Sequence, residues 1–365
     1  MKPMLKNMPE LKIGDLVAKI PIIQGGMGVG VSLSSLSSAV ANEGGIGVIA
    51  AAAMGYDKAG YRENPVEVSK KALADEIQKA REATKGILGV NIMVALSNFS
   101  ELVKMAVEKE IDIIFAGAGL PLDLPQYLTK GTKTKLVPII SSVRAVEVIV
   151  KKWVGQYNYV PDAFVLEGPL AGGHLGYKKE QISDPLYSLE NLLPQVVEKV
   201  KEYEALYQKK IPVIAAGGIF SGADILKFLQ LGASGVQMGT RFVATEECDA
   251  SPAFKQTYID CKEEDIMIIQ SPVGLPGRAI RNPFLEASES GQKQPFSCPF
   301  QCIRTCDYQK SPYCIALALM SAQKGNLKNG FAFAGQNAWR IKEIVSVHDL
   351  MESLKREYTE AAAAL

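Results

Sequence analysis

Two hydrophobic periods alternate along the chain from residue 19 to about 240. Short apolar, β-branched runs with little polar alternation read as strands buried on both faces of a parallel sheet. They are KIPIIQ from Lys19, IGVIA from Ile46, ILGVNIM from Ile87, DIIFAGAG from Asp112, LVPIIS from Leu136, AFVLEG from Ala163, PVIAAGG from Pro212 and GVQMGT from Gly235. Amphipathic stretches separate most of them. One opens at Asn64-Pro65-Val66-Glu67, which reads as an N-cap, a proline at the first helical position and an acid completing a capping box. Val66, Leu73, Ile77 and Ala80 then form its apolar stripe. A second opens at Ser97, with Leu102, Met105 and Ala106 facing inward.

Eight strands at a mean spacing of roughly 30 residues fit repeated right-handed βα units. Eight also closes a (β/α)8 barrel, whose usual size is about 250 residues. The predicted fold class is therefore α/β, a (β/α)8 TIM barrel, with a doubly wound open sheet as the competing arrangement. Beyond residue 250 the rhythm breaks. SPVGLPGRAIRNP from Ser271 reads as a Gly/Pro loop with two arginines, and ASESGQKQP from Ala287 as a polar stretch. A cysteine cluster follows, then helical patterns around 314–325, 331–340 and from about 347. The expected division is a barrel over 1–250 and a C-terminal loop and helical extension over 251–365, packed on the barrel near its mouth.

Composition narrows the class. Hydrophobic residues make up 47% and charged residues 22%, and the formal net charge is +1. These values are ordinary for a soluble globular protein, and no basic stripe is present for a phosphate backbone, so no nucleic-acid partner is expected. MKPMLKNMPELK at the N-terminus lacks a signal-peptide core, and the most apolar windows end near ten residues, too short to span a bilayer. The expectation is a cytoplasmic protein acting on a small-molecule substrate, with a homodimer as the assembly considered.

In such a barrel the C-terminal strand ends form the functional face. Here they end in Gly25-Gly26-Met27-Gly28, Asn91, Gly117-Ala118-Gly119, Glu167-Gly168, Gly217-Gly218 and Gly239-Thr240. Glycine turns after strands seven and eight hold phosphate in many barrels, through backbone N–H groups. The plainer reading is that they only ease tight βα turns. Gly26-Met27-Gly28-Val29-Gly30 is not a dinucleotide fingerprint, because the next strand ends in Ala50–Ala53 with no ribose-binding carboxylate. His174, one of only two histidines, sits among Gly172, Gly173 and Gly176 after strand six. An imidazole at the mouth is a natural proton-transfer group. His348, in SVHDLMES, reads as a solvated residue.

Taken in order, GGMG (Gly25–Gly28), GVNIM (Gly89–Met93), EG…AGGHLG (Glu167–Gly176), AAGGI (Ala215–Ile219) and QMGTRF (Gln237–Phe242) resemble the nitronate monooxygenase (2-nitropropane dioxygenase) family. That family is close to the FMN-dependent enoyl-acyl-carrier-protein reductases. The match runs from about Pro21 to Glu246 and less specifically to Arg281. The resemblance implies an FMN-binding barrel. Gly25, Gly26 and Met27 would lie against the isoalloxazine ring, with Gly117 and Gly119 near it, and Asn91 would hydrogen-bond it. Gly217, Gly218, Gly239 and Thr240 would take the phosphate. His174 would transfer the proton, with Gly173 and Glu167 beside it in the pocket. It implies a flavin-dependent oxidation of nitronates or nitroalkanes. The alternatives are an NAD(P)H-dependent reduction of enoyl thioesters or quinones, and a non-catalytic flavin-binding electron-transfer partner.

SCPFQCIRTCDYQKSPYC places Cys298, Cys302, Cys306 and Cys314 at spacings x3, x3 and x7. A helix starting at Pro299 would set Cys302 and Cys306 one turn apart on one face, with Cys298 at its cap. Converging thiolates would ligate an iron–sulfur cluster or zinc; the competing reading is a set of buried or free thiols. Cys248 and Cys261 read as packing residues.

Overall fold

The computed structural model describes residues 7–292 and 297–365. Eight parallel strands close into a barrel: β1 (Ile22–Gln24), β2 (Ile46–Ala50), β3 (Ile87–Met93), β4 (Ile113–Gly117), β5 (Lys135–Ile140), β6 (Phe164–Glu167), β7 (Val213–Ala216) and β8 (Gly235–Met238). They lie in sequence order around the ring, and Gln237 pairs with Ile23 to bring β8 back to β1. Seven fall inside the apolar runs read from the sequence and β5 begins one residue before its run, at Lys135; the open sheet is excluded.

The inside of the barrel is filled by Ile23, Ile46, Val48, Phe115, Val137, Val165 and Ile214. An N-terminal hairpin, Leu11–Ile13 against Leu16–Ala18, plugs the end opposite the strand C-termini by adding Leu11, Ile13 and Ala18 to that cluster. A lone hairpin is barely stable in water; here its apolar face closes a core that would otherwise be wet.

Outside run α1 (Ser34–Asn42), α2 (Pro65–Ala83), α3 (Phe99–Glu108), α4 (Val143–Tyr157), α5 (Leu189–Tyr207) and α6 (Gly222–Gln230). Their apolar stripes share one core with the outward faces of the strands. After β4 only a 3-10 turn, Leu124–Tyr127, forms. Prolines at 121 and 125 explain it, since each removes a helical donor. The wall between α1 and α6 is instead completed from far away by the C-terminal helix Val347–Ala363. Glu357 accepts a hydrogen bond from the Gly222 N–H at 2.8 Å, and Asp249 caps α1 by accepting from the Leu33 N–H at 2.7 Å.

Several local expectations differ. Asn64 stands at the N-cap and Pro65 at the first helical position, but the Asn64 side chain makes no cap bond, and Glu67 pairs with Lys70 instead. The buried stripe of α2 is Ser69, Leu73, Ile77 and Ala80, while Val66 is exposed. The next helix starts at Phe99, because the Ser97 hydroxyl donates to the Gln301 carbonyl. The stretch from Ser271 is a loop only to residue 275: β9 (Ile266–Gln270) and β10 (Pro276–Ile280) form an antiparallel pair joined by this turn at Gly274. The polar stretch begins inside a helix, Pro283–Glu289, and its residues 293–295 lie outside the described residues, as do the first six residues of the chain. Residues 331–340 are irregular apart from a 3-10 turn, Ala338–Arg340. No helix starts at Pro299. There the Cys302 carbonyl accepts from the Ser97 N–H, and the Arg304 N–H donates to the Ala95 carbonyl.

Among the described residues no helix is long and apolar enough to cross a membrane. The tight seating of the last helix gives a direct test. A Cβ on Gly222 would fall 2.2 Å from the Tyr358 nitrogen and 2.3 Å from the Leu354 carbonyl oxygen. Gly222→Ala is expected to destabilise the fold by about 1–3 kcal/mol through this overpacking, read as a lower denaturation midpoint.

Candidate active site

A cavity of about 290 Å³ opens at the C-terminal ends of the strands, close to the lower edge of the range for small-ligand pockets. Its floor comes from the barrel. Gly25, Gly26 and Met27 leave β1, Asn91 and Met93 end β3, Gly117 and Ala118 end β4, and Glu167 ends β6. Gly217 and Gly218 follow β7, and Gly239 and Thr240 follow β8. Gly173 and His174 close one side. The structure thus brings together all the pocket residues expected from the sequence except Gly119, which lies off the cavity lining.

Two glycine positions show why a side chain is absent. A Cβ on Gly26 would sit 2.3 Å from the Asn91 Cβ, so only glycine leaves Asn91 in place and the wall flat. Gly217 and Gly218 turn with φ of +93° and +78°, a conformation that glycine adopts without strain. Thr240 opens a short helix, so its N–H has no intrahelical acceptor. Its hydroxyl accepts from the Gly335 N–H at 3.0 Å and keeps its own proton to donate. The Met27 N–H is already used by the Ser32 hydroxyl at 2.9 Å, so Met27 can offer its side chain but not its amide.

His174 is not on a free loop. Gly173–His174 forms a two-residue strand on β10, with His174 opposite Gly277. Its Nε2 lies 2.7 Å from the Ser271 hydroxyl, and Phe333 meets the ring edge-on at 4.9 Å. From β10 the buried Arg278 donates to the carbonyls of Pro169 and Ala171, tying down the loop that leads to His174. Its Nε has no partner among the described residues, and burial pushes the guanidinium down to about 10.

The two titratable groups in the cavity shift in opposite directions for one reason. Burial disfavours the charged form of each. It pushes the Glu167 carboxyl up to about 7 and the His174 imidazole down to about 4. What surface they keep faces the cavity. Near neutrality His174 is therefore a neutral acceptor, while a large share of Glu167 still carries a proton. Such a pair, with environments that separate an acid from a base, is how acid–base roles are assigned in many sites.

Ser271, Phe333, Arg278 and Gln237 were not singled out in the sequence. Gln237 had a signal, a polar residue inside the apolar run of β8; the other three come from a segment whose path over the mouth no local pattern encodes. Phe254, Tyr258 and Leu319 also line the cavity from beyond residue 250. The four cysteines lie in a separate cavity. Cys248 and Cys261 are buried in the core, and His348 is exposed beside Glu43.

A closed parallel barrel with a concave site and an acid–base pair at its strand C-termini is the layout of a small-molecule enzyme. The family model described as nitronate monooxygenase matches residues 10–357, and the chain belongs to that family of oxidoreductase enzymes. It is similar to a probable nitronate monooxygenase of Staphylococcus saprophyticus, 28% identical over 95% of this chain and 97% of that protein. A probable nitronate monooxygenase of Staphylococcus aureus is 30% identical over 74% of this chain and 78% of its own length. Among solved structures it resembles FabK from Thermotoga maritima, with a TM-score of 0.72 and 28% identity, covering 94% of each chain. A nitroalkane oxidase from Streptomyces ansochromogenes shares the fold at a TM-score of 0.72 and 23% identity, covering 96% of this chain and 98% of that one.

The opposed shifts predict opposite pH effects on stability. Glu167, raised in the folded state, stabilises below the ordinary value of 4.5 and loses that contribution as pH rises to about 7. His174, lowered, contributes above 6.5 and loses it as pH falls toward about 4. The two slopes cancel over much of that window in the wild-type protein. Glu167→Gln removes one of them, so the variant should gain on wild type as pH rises from 5 to 7, on the order of 2–3 kcal/mol. Denaturant titrations of both proteins across that range check it; parallel pH profiles would be the contrary result.

Proposed function

We propose that the chain is an FMN-dependent oxidoreductase that oxidises nitronates and their parent nitroalkanes. The reading rests on the family and on one observation, the His174 imidazole held against Ser271 at the mouth of a glycine-walled cavity. The cavity fits the cofactor. The wall from Gly25 to Met27, kept flat by the lack of a Cβ at Gly26, suits the face of a ring, and the Asn91 side chain stands beside it. Gly217, Gly218, Gly239 and Thr240 suit a phosphate, with backbone donors and a free hydroxyl proton and no lysine needed. Among the described residues on the lining, Glu167 and His174 are the carboxyl and imidazole groups, and no lysine or arginine joins them. Burial keeps His174 neutral near pH 7 and leaves a large share of Glu167 protonated, which lowers the negative charge the cavity sets against an anion. In this reading residues 1–250 hold the cofactor and residues 251–365 close over it. Bound flavin supplies the redox chemistry, taking electrons from the substrate and passing them on.

The chain itself handles the proton. A neutral imidazole accepts a proton from the carbon of a nitroalkane, and the Ser271 hydroxyl keeps its ring oriented. Glu167 gives a second reading its specific support. A carboxyl that keeps its proton to about 7 can donate one, which an NAD(P)H-dependent reduction of an enoyl thioester or quinone requires. The likeness to FabK over 94% of the chain favours the same alternative.

Anaerobic stopped-flow mixing with NADH, NADPH and an alkyl nitronate, read at flavin wavelengths, separates the two. Bleaching by the nitronate alone is the expected result. Bleaching only by a pyridine nucleotide would favour the reductase, and protein that takes up no FMN would end both readings. His174→Ala is expected to retain FMN and to slow turnover of the neutral nitroalkane by about 10²-fold or more, while preformed nitronate is affected far less. Equal losses on the two substrates would remove the base role.

A further inference from the structure

A second cavity, of about 610 Å³, lies outside the candidate active site, and Cys298, Cys302, Cys306 and Cys314 all line it. All four are free thiols, and Cys302 lies within electrostatic reach of the other three. They converge without the helix that the spacing suggested. The segment is stapled onto the turn after β3 by the Cys302 carbonyl on the Ser97 N–H at 3.0 Å, the Arg304 N–H on the Ala95 carbonyl at 3.1 Å and a bridge between Leu96 and Ile303. Cys314 arrives from the other side as the N-cap of the helix Ile315–Gln323.

Three features of this cavity point to an occupant. Four thiols facing one space are an unusual lining for a void that has no ligand, since packing alone is served by any small apolar side chain. Tyr313, which also lines it, is 6% exposed, and its hydroxyl has no partner among the described residues. A buried hydroxyl of that kind costs free energy unless a neighbouring group accepts its proton. The first turn of the helix after Cys314, together with Arg304 on the rim, adds positive potential where an anionic centre would sit.

We infer that this cavity is the site of an iron–sulfur cluster ligated by the thiolates of Cys298, Cys302, Cys306 and Cys314. The alternative of one zinc ion fits less well. Zinc draws its sulfurs to about 2.3 Å, whereas no three His, Cys, Asp or Glu side chains among the described residues are grouped to close on a single ion. Four cysteines spread around a roomy space match a polynuclear core whose own sulfides fill the centre. The hydroxyl of Tyr313 then donates to a cluster or cysteinyl sulfur, the kind of contact that sets a cluster's potential.

The site adjoins the candidate active site by two short covalent paths. Ala95, which holds the cysteine segment, is two residues past Met93 on the lining of the first cavity. Leu319, also on that lining, is five residues along the helix from Cys314, about 7.5 Å of axial rise. The inference does not depend on the flavin reading and can stand or fall without it.

The test is made on the full chain, purified without oxygen and then incubated with ferrous iron and sulfide. Iron, acid-labile sulfide, zinc and FMN are measured separately, with electron paramagnetic resonance after dithionite reduction. Iron and sulfide are expected in equal amounts, at about two or four per chain. Cys261→Ser, at a buried thiol away from this cavity, should keep them. Cys302→Ser and Cys314→Ser should each lose most of the sulfide and the resonance signal while FMN content changes less than about twofold. Zinc near one per chain without sulfide, sulfide retained in both variants, or no iron and sulfide in reconstituted wild type would each overturn the inference. Full iron and sulfide in a chain that binds no FMN would uphold it and count against the flavin reading alone. Because wild-type stoichiometry is decisive by itself, a variant that fails to fold leaves the answer intact.

Discussion

His174 reaches the cavity because a strand from outside the barrel holds it there. Twenty-one residues separate the end of β6 from the start of α5, and a free loop of that length would spread over many conformations. Pairing of Gly173 and His174 with β10 removes that freedom, and the Leu175 N–H adds a bond to the Pro276 carbonyl at 2.8 Å. Arg278 fixes the other half of the loop through the carbonyls of Pro169 and Ala171. Burying a guanidinium without a carboxylate is costly, and carbonyl oxygens offset only part of that cost. The chain accepts this at the clasp that positions the His174 loop, where a carboxylate would add a negative charge beside the cavity.

The same exclusion of water sets the electrostatics. Glu167 and His174 share a cavity in which neither charged form is well solvated, so near pH 7 His174 is neutral and a large share of Glu167 keeps its proton. Under the proposed function, the backbone N–H groups of the glycine turns would hold the phosphate without a lysine. Each negative charge kept off Glu167 would then favour that anion, so the burial that raises the acid would also serve the cofactor.

The barrel was legible because each strand is covered on both faces and so carries an unbroken apolar run, as IGVIA and PVIAAGG do. The residues at the strand ends were legible for a related reason: Asn91 and Glu167 are polar groups at the tips of apolar runs. What could not be read were contacts made across long stretches of sequence. The helix Val347–Ala363 fills the gap between α1 and α6 more than a hundred residues after α6 ends, and nothing in its amphipathic pattern says which gap. Ser271 and Phe333 meet His174 from segments read as a loop and as a helix, because SPVGLPGR looks like a turn until its partner strand is known. The cysteine segment went wrong in the same way. Proline at 299 and a one-turn spacing favour a helix locally, yet bonds to Ser97 and Ala95 give its backbone another set of partners.

These long-range contacts divide the cavity into two kinds of wall. The barrel side is built of strand-end backbone and a few polar groups, Asn91, Gln237, Glu167 and Thr240, and the segments GGMG, GVNIM, AAGGI and QMGTRF fall on it. The opposite side, contributed after residue 250, is apolar and bulky, with Phe254, Tyr258, Leu319 and Phe333. Hydrogen bonds from rigid strand ends fix a ligand's orientation, whereas apolar walls discriminate by size and shape. Under the proposed function, a flat cofactor with polar edges would occupy the first wall and leave the second to face the substrate. Proteins that share the motifs and differ at these four positions would then bind the same cofactor and choose different substrates. The cavity holds both a base and an acid, so in that reading the choice between nitronate oxidation and thioester reduction would fall to the apolar wall. The slot between Phe333 and the barrel floor would limit how large a molecule could bring its reacting carbon to His174.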